Sequence, residues 1–130
     1  MISLSKKLIG NEKLTNKLMK SFYNNNLSNS IILTGQKGIG KCTLAFFLIN
    51  KIFSSFSLSN HLSDNQSNLI YKNSHPNVKY LTKELDGKTD KIKNFISIDQ
   101  IRNLNNFFHQ SSLDNIPKFI IIDSADDLNI

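Results

Sequence analysis

The sequence predicts an α/β fold built on a parallel sheet, and three observations carry that prediction. Short apolar runs at "SIILT", "NVKYL" and "KFIIID" read as strands, the first and last apolar enough to be buried on both faces. Segments of helical period lie between them. The first run also leads into a glycine-rich stretch, "GQKGIGK", which opens straight into an apolar helical segment. Strands that alternate with helices in this way are the pattern of a parallel sheet.

Taken in order, residues 11–25 read as an amphipathic helix with Leu14, Leu18 and Phe22 at four-residue spacing. "NNNLSNS" breaks it, and "SIILT" follows as the first strand. After the glycine-rich loop, "KCTLAFFLINKIF" is apolar on nearly every side and so predicts a well-buried helix. Residues 54–75 are rich in Ser and Asn with no clear period, the pattern of a long surface excursion of low order, a loop insertion. "NVKYL" is the second strand, and "KELDGKTDK" a polar connection with a turn at Asp86-Gly87. "ISIDQIRNLNNFFHQ" predicts a helix. Ser97 and Gln100 fit a capping box, and Ile98, Ile101, Leu104 and Phe108 form its expected buried stripe. Beyond Pro117 comes the third strand; there are no internal repeats.

Composition narrows the class without choosing the function. A chain of 130 residues is one domain by length and can bury a core, although only 39% of it is hydrophobic. No apolar run approaches the roughly 18 residues of a membrane span. The beginning lacks the apolar block and small-residue cleavage site of a secretory signal. A single cysteine excludes an internal disulfide and a multi-cysteine zinc site. The expectation is a soluble, cytoplasmic protein without zinc. The net charge of +6 and pI near 9.5 suit an acidic partner, but the lysines are scattered. Only Lys13, Lys17 and Lys20 share a helix face, and a solvated face is the simpler reading of them than a nucleic-acid stripe.

Two constellations could carry chemistry. In Gly35-Gln36-Lys37-Gly38-Ile39-Gly40-Lys41, the glycines let backbone N–H groups turn inward around a phosphate. Lys41 would reach the outer phosphates, and the helix after it would present its positive end to the same anion. In "FIIIDSADD", a strand ending at Asp123 resembles the Walker B element, whose acid helps to hold Mg²⁺. Two details argue against hydrolysis. Cys42 stands where a hydroxyl should meet Mg²⁺, and a hard cation prefers oxygen to a neutral thiol. Thr43 is about 100° further round the helix. Ser124 then follows Asp123 where a water-orienting Glu would be needed, and Asp126 and Asp127 suit a helix start with Ser124 as its cap. The three histidines, His61, His75 and His109, lack metal spacing and read as surface or packing residues.

With these residues in view, "LIGNEKLTNKLMKSF", "SIILTGQKGIGKCTLAFFLIN", "HPNVKYL", "ISIDQIRNLNNFF" and "PKFIIIDSADDLN" together resemble the delta-prime subunits of bacterial DNA polymerase III, most closely their alphaproteobacterial form. The resemblance runs from about Leu8 to the end, and is poor over 54–75. It implies an AAA+ nucleotide-binding domain, a phosphate-loop parallel sheet sandwiched by helices. It implies a stator-like part in a clamp loader, with weak or no ATP hydrolysis of its own. Gly35 to Cys42, with Thr43, would be the phosphate loop for ATP, Asp123 the Walker B acid and indirect Mg²⁺ holder, and Ile9-Gly10 a segment near an adenine. The implied partners are the delta and gamma/tau subunits and, through them, the sliding clamp and primed DNA.

The chain departs from that pattern in two places. The four-cysteine zinc module of many such subunits is absent from 54–75, and "DDLNI" is followed by none of the family's later strands, finger motif, lid or collar. The expectation is a truncated AAA+ domain, incomplete at its C-terminus, with unpaired strand edges and marginal stability. Two other readings stay open: an independent small phosphate-loop ATPase or kinase, and a fragment without function.

Overall fold

The computed structural model describes residues 10–56, 68–112 and 115–128. They fall into two units, one within Met1–Lys72 and one within Asn73–Ile130.

In the first unit, helix α1 spans Glu12–Tyr23. It stops in the asparagine run because Asn25 turns left-handed, with φ of 53°. That turn brings the N–H of Asn26 to the Ser21 carbonyl at 2.8 Å and that of Asn25 to the Phe22 carbonyl at 3.0 Å. These paired bonds satisfy the last carbonyls of the helix, a Schellman ending in which Asn replaces the usual glycine. The buried residues of α1 are Thr15 and Met19, while Leu14 is 39% exposed. The inward face is therefore turned from the Leu14-Leu18-Phe22 line that four-residue spacing suggests. Lys13, Lys17 and Lys20 are all exposed, as a solvated face requires.

Helix α2 spans Lys41–Phe56 and buries Leu44, Phe46, Leu48, Ile49, Ile52 and Phe53. The Phe22 ring of α1 meets the Phe56 ring of α2 edge-on, with centroids 6.1 Å apart. Residues 54–56 thus continue α2, and residues 68–71 are helical. The remainder of the Ser/Asn-rich stretch, 57–67, lies outside the described residues, as does Ile9.

"SIILT" forms no strand. Residues 30–34 carry no ladder hydrogen bonds, and Ile31 and Ile32 are 43% and 85% exposed. A strand exists only where a neighbour takes up its N–H and C=O groups, and among the described residues none does so here. Apolar, β-branched content alone was insufficient.

The second unit holds the sheet. Strand β1 (Val78–Leu81) pairs in parallel with β2 (Phe119–Ile122), Val78 opposite Phe119 and Leu81 opposite Ile122. The α/β class and the parallel pairing hold, with two strands among the described residues rather than a sheet covered on both faces. Ile121 is buried, but Ile122 is 38% exposed, so β2 is half-covered rather than enclosed. The outer edge of β1 is partly closed by one side chain. Asn73 accepts from the Tyr80 N–H at 2.9 Å and donates to the Tyr80 carbonyl at 3.0 Å, as a neighbouring strand would.

Buried polar residues place the strands. The Asn77 N–H donates to His75 Nδ1 at 3.0 Å, and its side-chain amide donates to the Ile116 carbonyl at 3.2 Å. The Asn77 carbonyl in turn accepts from Phe119 N–H at 2.8 Å. "HPN" is thus the joint from which both strands start. The connection after β1 turns at Asp86-Gly87 as expected, with Asp86 N–H bonded to the Lys91 carbonyl at 2.8 Å and Leu85 bridged to Ile92.

The predicted long helix is two short ones, α3 (Ile98–Arg102) and α4 (Leu104–His109), interrupted at Asn103. The capping box forms as read, Ser97 accepting from Gln100 N–H and the Gln100 side chain accepting from Ser97 N–H. It also turns the stripe. Gln100 is buried because its amide donates to the Thr82 carbonyl at 2.9 Å, and the inward face becomes Gln100, Leu104 and Phe107. Ile98, Ile101 and Phe108 face outward, at 47%, 37% and 60% exposure. Lys118, just before β2, donates to the Phe107 and Gln110 carbonyls and lies over the Phe107 ring at 4.8 Å. A cation there satisfies the exposed end of α4.

Candidate nucleotide site

The glycine-rich loop lies in the first unit, ahead of α2. Gly38 and Gly40 have φ of 84° and 92°, a region that side chains with a Cβ rarely enter. These two turns let the chain curl and enter the helix at Lys41. The first helical bond, Leu44 N–H to the Gly40 carbonyl at 2.9 Å, follows at once. Gln36, Lys37, Gly38 and Ile39 are exposed, and Lys41, Cys42 and Thr43 half-exposed.

The Lys41 side chain doubles back across the loop. Its ammonium donates to the carbonyls of Gly35 and Gln36, both at 2.9 Å. Two of the three donors of a lysine are thereby spent on the loop itself, which fixes the charge at the loop's mouth. Together with the positive end of a 16-residue helix, it puts positive charge beside the loop. Cys42 forms no disulfide and stands one residue into that helix.

Asp123 lies in the second unit, and its surroundings follow from strand register. Tyr80 stands opposite Ile121, and Asp123 is two residues on, so all three share one face of the sheet. The Tyr80 hydroxyl reaches diagonally and donates to Asp123 Oδ2 at 3.0 Å. The Asp123 N–H continues the ladder to the Leu81 carbonyl at 2.9 Å. Beyond it, Ala125–Asp127 form a single 3₁₀ turn. The cap read for Ser124 is not made: its side chain accepts no hydrogen bond, and only its backbone carbonyl takes Asp127 N–H. The Asp127 carboxylate is instead held by Lys83 at 3.1 Å, while Asp126 is exposed. Of the histidines, His75 is buried and His109 exposed, and His61 lies outside the described residues. Burial pushes the His75 imidazole below its ordinary range.

Sequence reading found the loop and Asp123 but missed Tyr80, Lys83 and Lys118. Their partners lie 8 to 44 residues away, and only the folded arrangement of the elements joins them.

At the loop, the residue after Lys41 offers sulfur where a Mg²⁺ ion takes oxygen.

A family model for the DNA polymerase III delta subunit matches residues 10–130. That is nearly the whole chain, and the chain belongs to this family, which ties it to clamp loading in DNA replication. Neither a curated protein nor a solved structure matches it significantly. Among the described residues, no helix is long and apolar enough to cross a membrane.

Proposed function

We propose that the chain is a stator-like component of the DNA polymerase III clamp loader. It binds a nucleotide in the Gly35–Thr43 loop and hydrolyses it weakly or not at all. It acts in the cytoplasm beside the delta and gamma/tau subunits, and through them on the sliding clamp and primed DNA. The family match supports the assembly. The observation that carries the loss of turnover is the chemistry around the loop. Cys42 replaces a hydroxyl, and Ser124 follows Asp123 where an acid would orient the attacking water.

The test has two parts: retention of this chain by purified clamp-loader subunits, and ATP hydrolysis with and without Lys41→Ala. Retention with no hydrolysis above background is the expected result. Steady hydrolysis abolished by Lys41→Ala would replace this reading with an independent ATPase or kinase. Failure of both would leave a fragment without either activity.

A further inference from the structure

We infer that Cys42 sets the metal requirement of the loop, so that the protein holds a nucleotide there without itself binding Mg²⁺. The inference rests on the nucleotide-binding reading of Gly35–Thr43 and adds which contacts hold the ligand. In a loop of this spacing, the side chain after the lysine is the protein's direct contact with the ion, and the Walker B acid supports it. Here the first is a thiol, a poor partner for a cation that demands near-octahedral oxygen at short range. Thr43 does not replace it, because one helical step carries its hydroxyl about 100° round the axis of α2. The phosphate-facing groups that remain are metal-independent. They are the Lys41 ammonium, anchored on the Gly35 and Gln36 carbonyls, and the positive end of α2.

The consequence is a binding curve insensitive to magnesium. The experiment measures the Kd of the full chain for ATP and for ADP, by calorimetry, in excess Mg²⁺ and in excess chelator. It is repeated on Cys42→Ser and Lys41→Ala. Wild type is expected to bind within about twofold in the two conditions, while Cys42→Ser tightens with Mg²⁺ by about tenfold, the lower range of a ligand-shell change. Lys41→Ala should lose binding in both. Wild-type binding that collapses in chelator overturns the inference and leaves the nucleotide reading intact. A Cys42→Ser variant no more sensitive to Mg²⁺ than wild type also overturns it. Binding that survives Lys41→Ala, or no binding by wild type in either condition, overturns the nucleotide reading and the inference with it.

Discussion

The two units solve the problem of ordering polar groups in opposite ways. In the second, Asn77 and Gln100 are buried and bonded to Ile116 and Thr82, and the half-buried Lys118 closes the end of α4. In the first, the distinctive polar element is an exposed loop whose lysine bonds to its own backbone, preceded by an apolar run that no described residue pairs as a strand. The second unit uses polar residues to fix a structure. The first buries Thr15 against the Asn11 carbonyl but keeps its glycine-rich loop at the surface, where a ligand can reach it. The difference teaches that the motif most visible in the sequence is held by bonds within itself, from Lys41 to Gly35 and Gln36, rather than by burial.

Substitutions can break that contrast. Phe107 is 2% exposed beneath the Lys118 ammonium, and Phe107→Ala is expected to cost about 3–5 kcal/mol in urea unfolding. A loss below about 1 kcal/mol would show that α4 is not part of the core. Asn77→Ala comes next, at about 1–3 kcal/mol, because it strips the donor from the buried Ile116 carbonyl. Ser97→Ala should cost about 1 kcal/mol by removing the cap of α3. In the first unit, Ile32→Lys should change stability by no more than about 0.5 kcal/mol, since Ile32 is 85% exposed. Light scattering should show less aggregation for it, because residues 24–36 carry no charge to oppose strand-to-strand association. A large destabilisation by Ile32→Lys would mean that this run is packed after all.

Acid sharpens the same contrast. His75 is buried and its imidazole is held below its ordinary range by desolvation, so the unfolded chain takes up the proton first as pH falls. Its stability contribution is complete above the unfolded pKa of about 6.5, and is lost as pH falls through the lower folded value. Unfolding measured from pH 7.5 to 5 should show this decline in wild type and a shallower one in His75→Gln.

What could be read in advance followed what is local. The α2 helix, the Ser97–Gln100 box and the Asp86-Gly87 turn are each decided within a few residues, and each was legible. The lack of a strand at "SIILT" was not, because a strand is a relation between two segments and the sequence shows only one. The stripe on α3 and α4 was misread for a related reason: a hydrogen bond from Gln100 to Thr82, 18 residues back, turned the helix so that a polar residue faces inward. The same limit hid Tyr80. Asp123 was legible as the end of an apolar strand, but its neighbour depends on the register of β1 against β2.

The brevity of α3 and α4, five and six residues, has a consequence for the order of events in folding. Isolated helices below about 12–15 residues do not persist in water, so neither can serve as an early nucleus. Each is held by a bond to a strand end, Gln100 to Thr82 and Lys118 to Phe107. They therefore condense after β1 and β2 have met, across the 37 residues that separate Leu81 from Phe119. The rate of this unit is set by the closing of that long loop rather than by helix formation, and mutations on α3 and α4 should act mainly on the speed of unfolding.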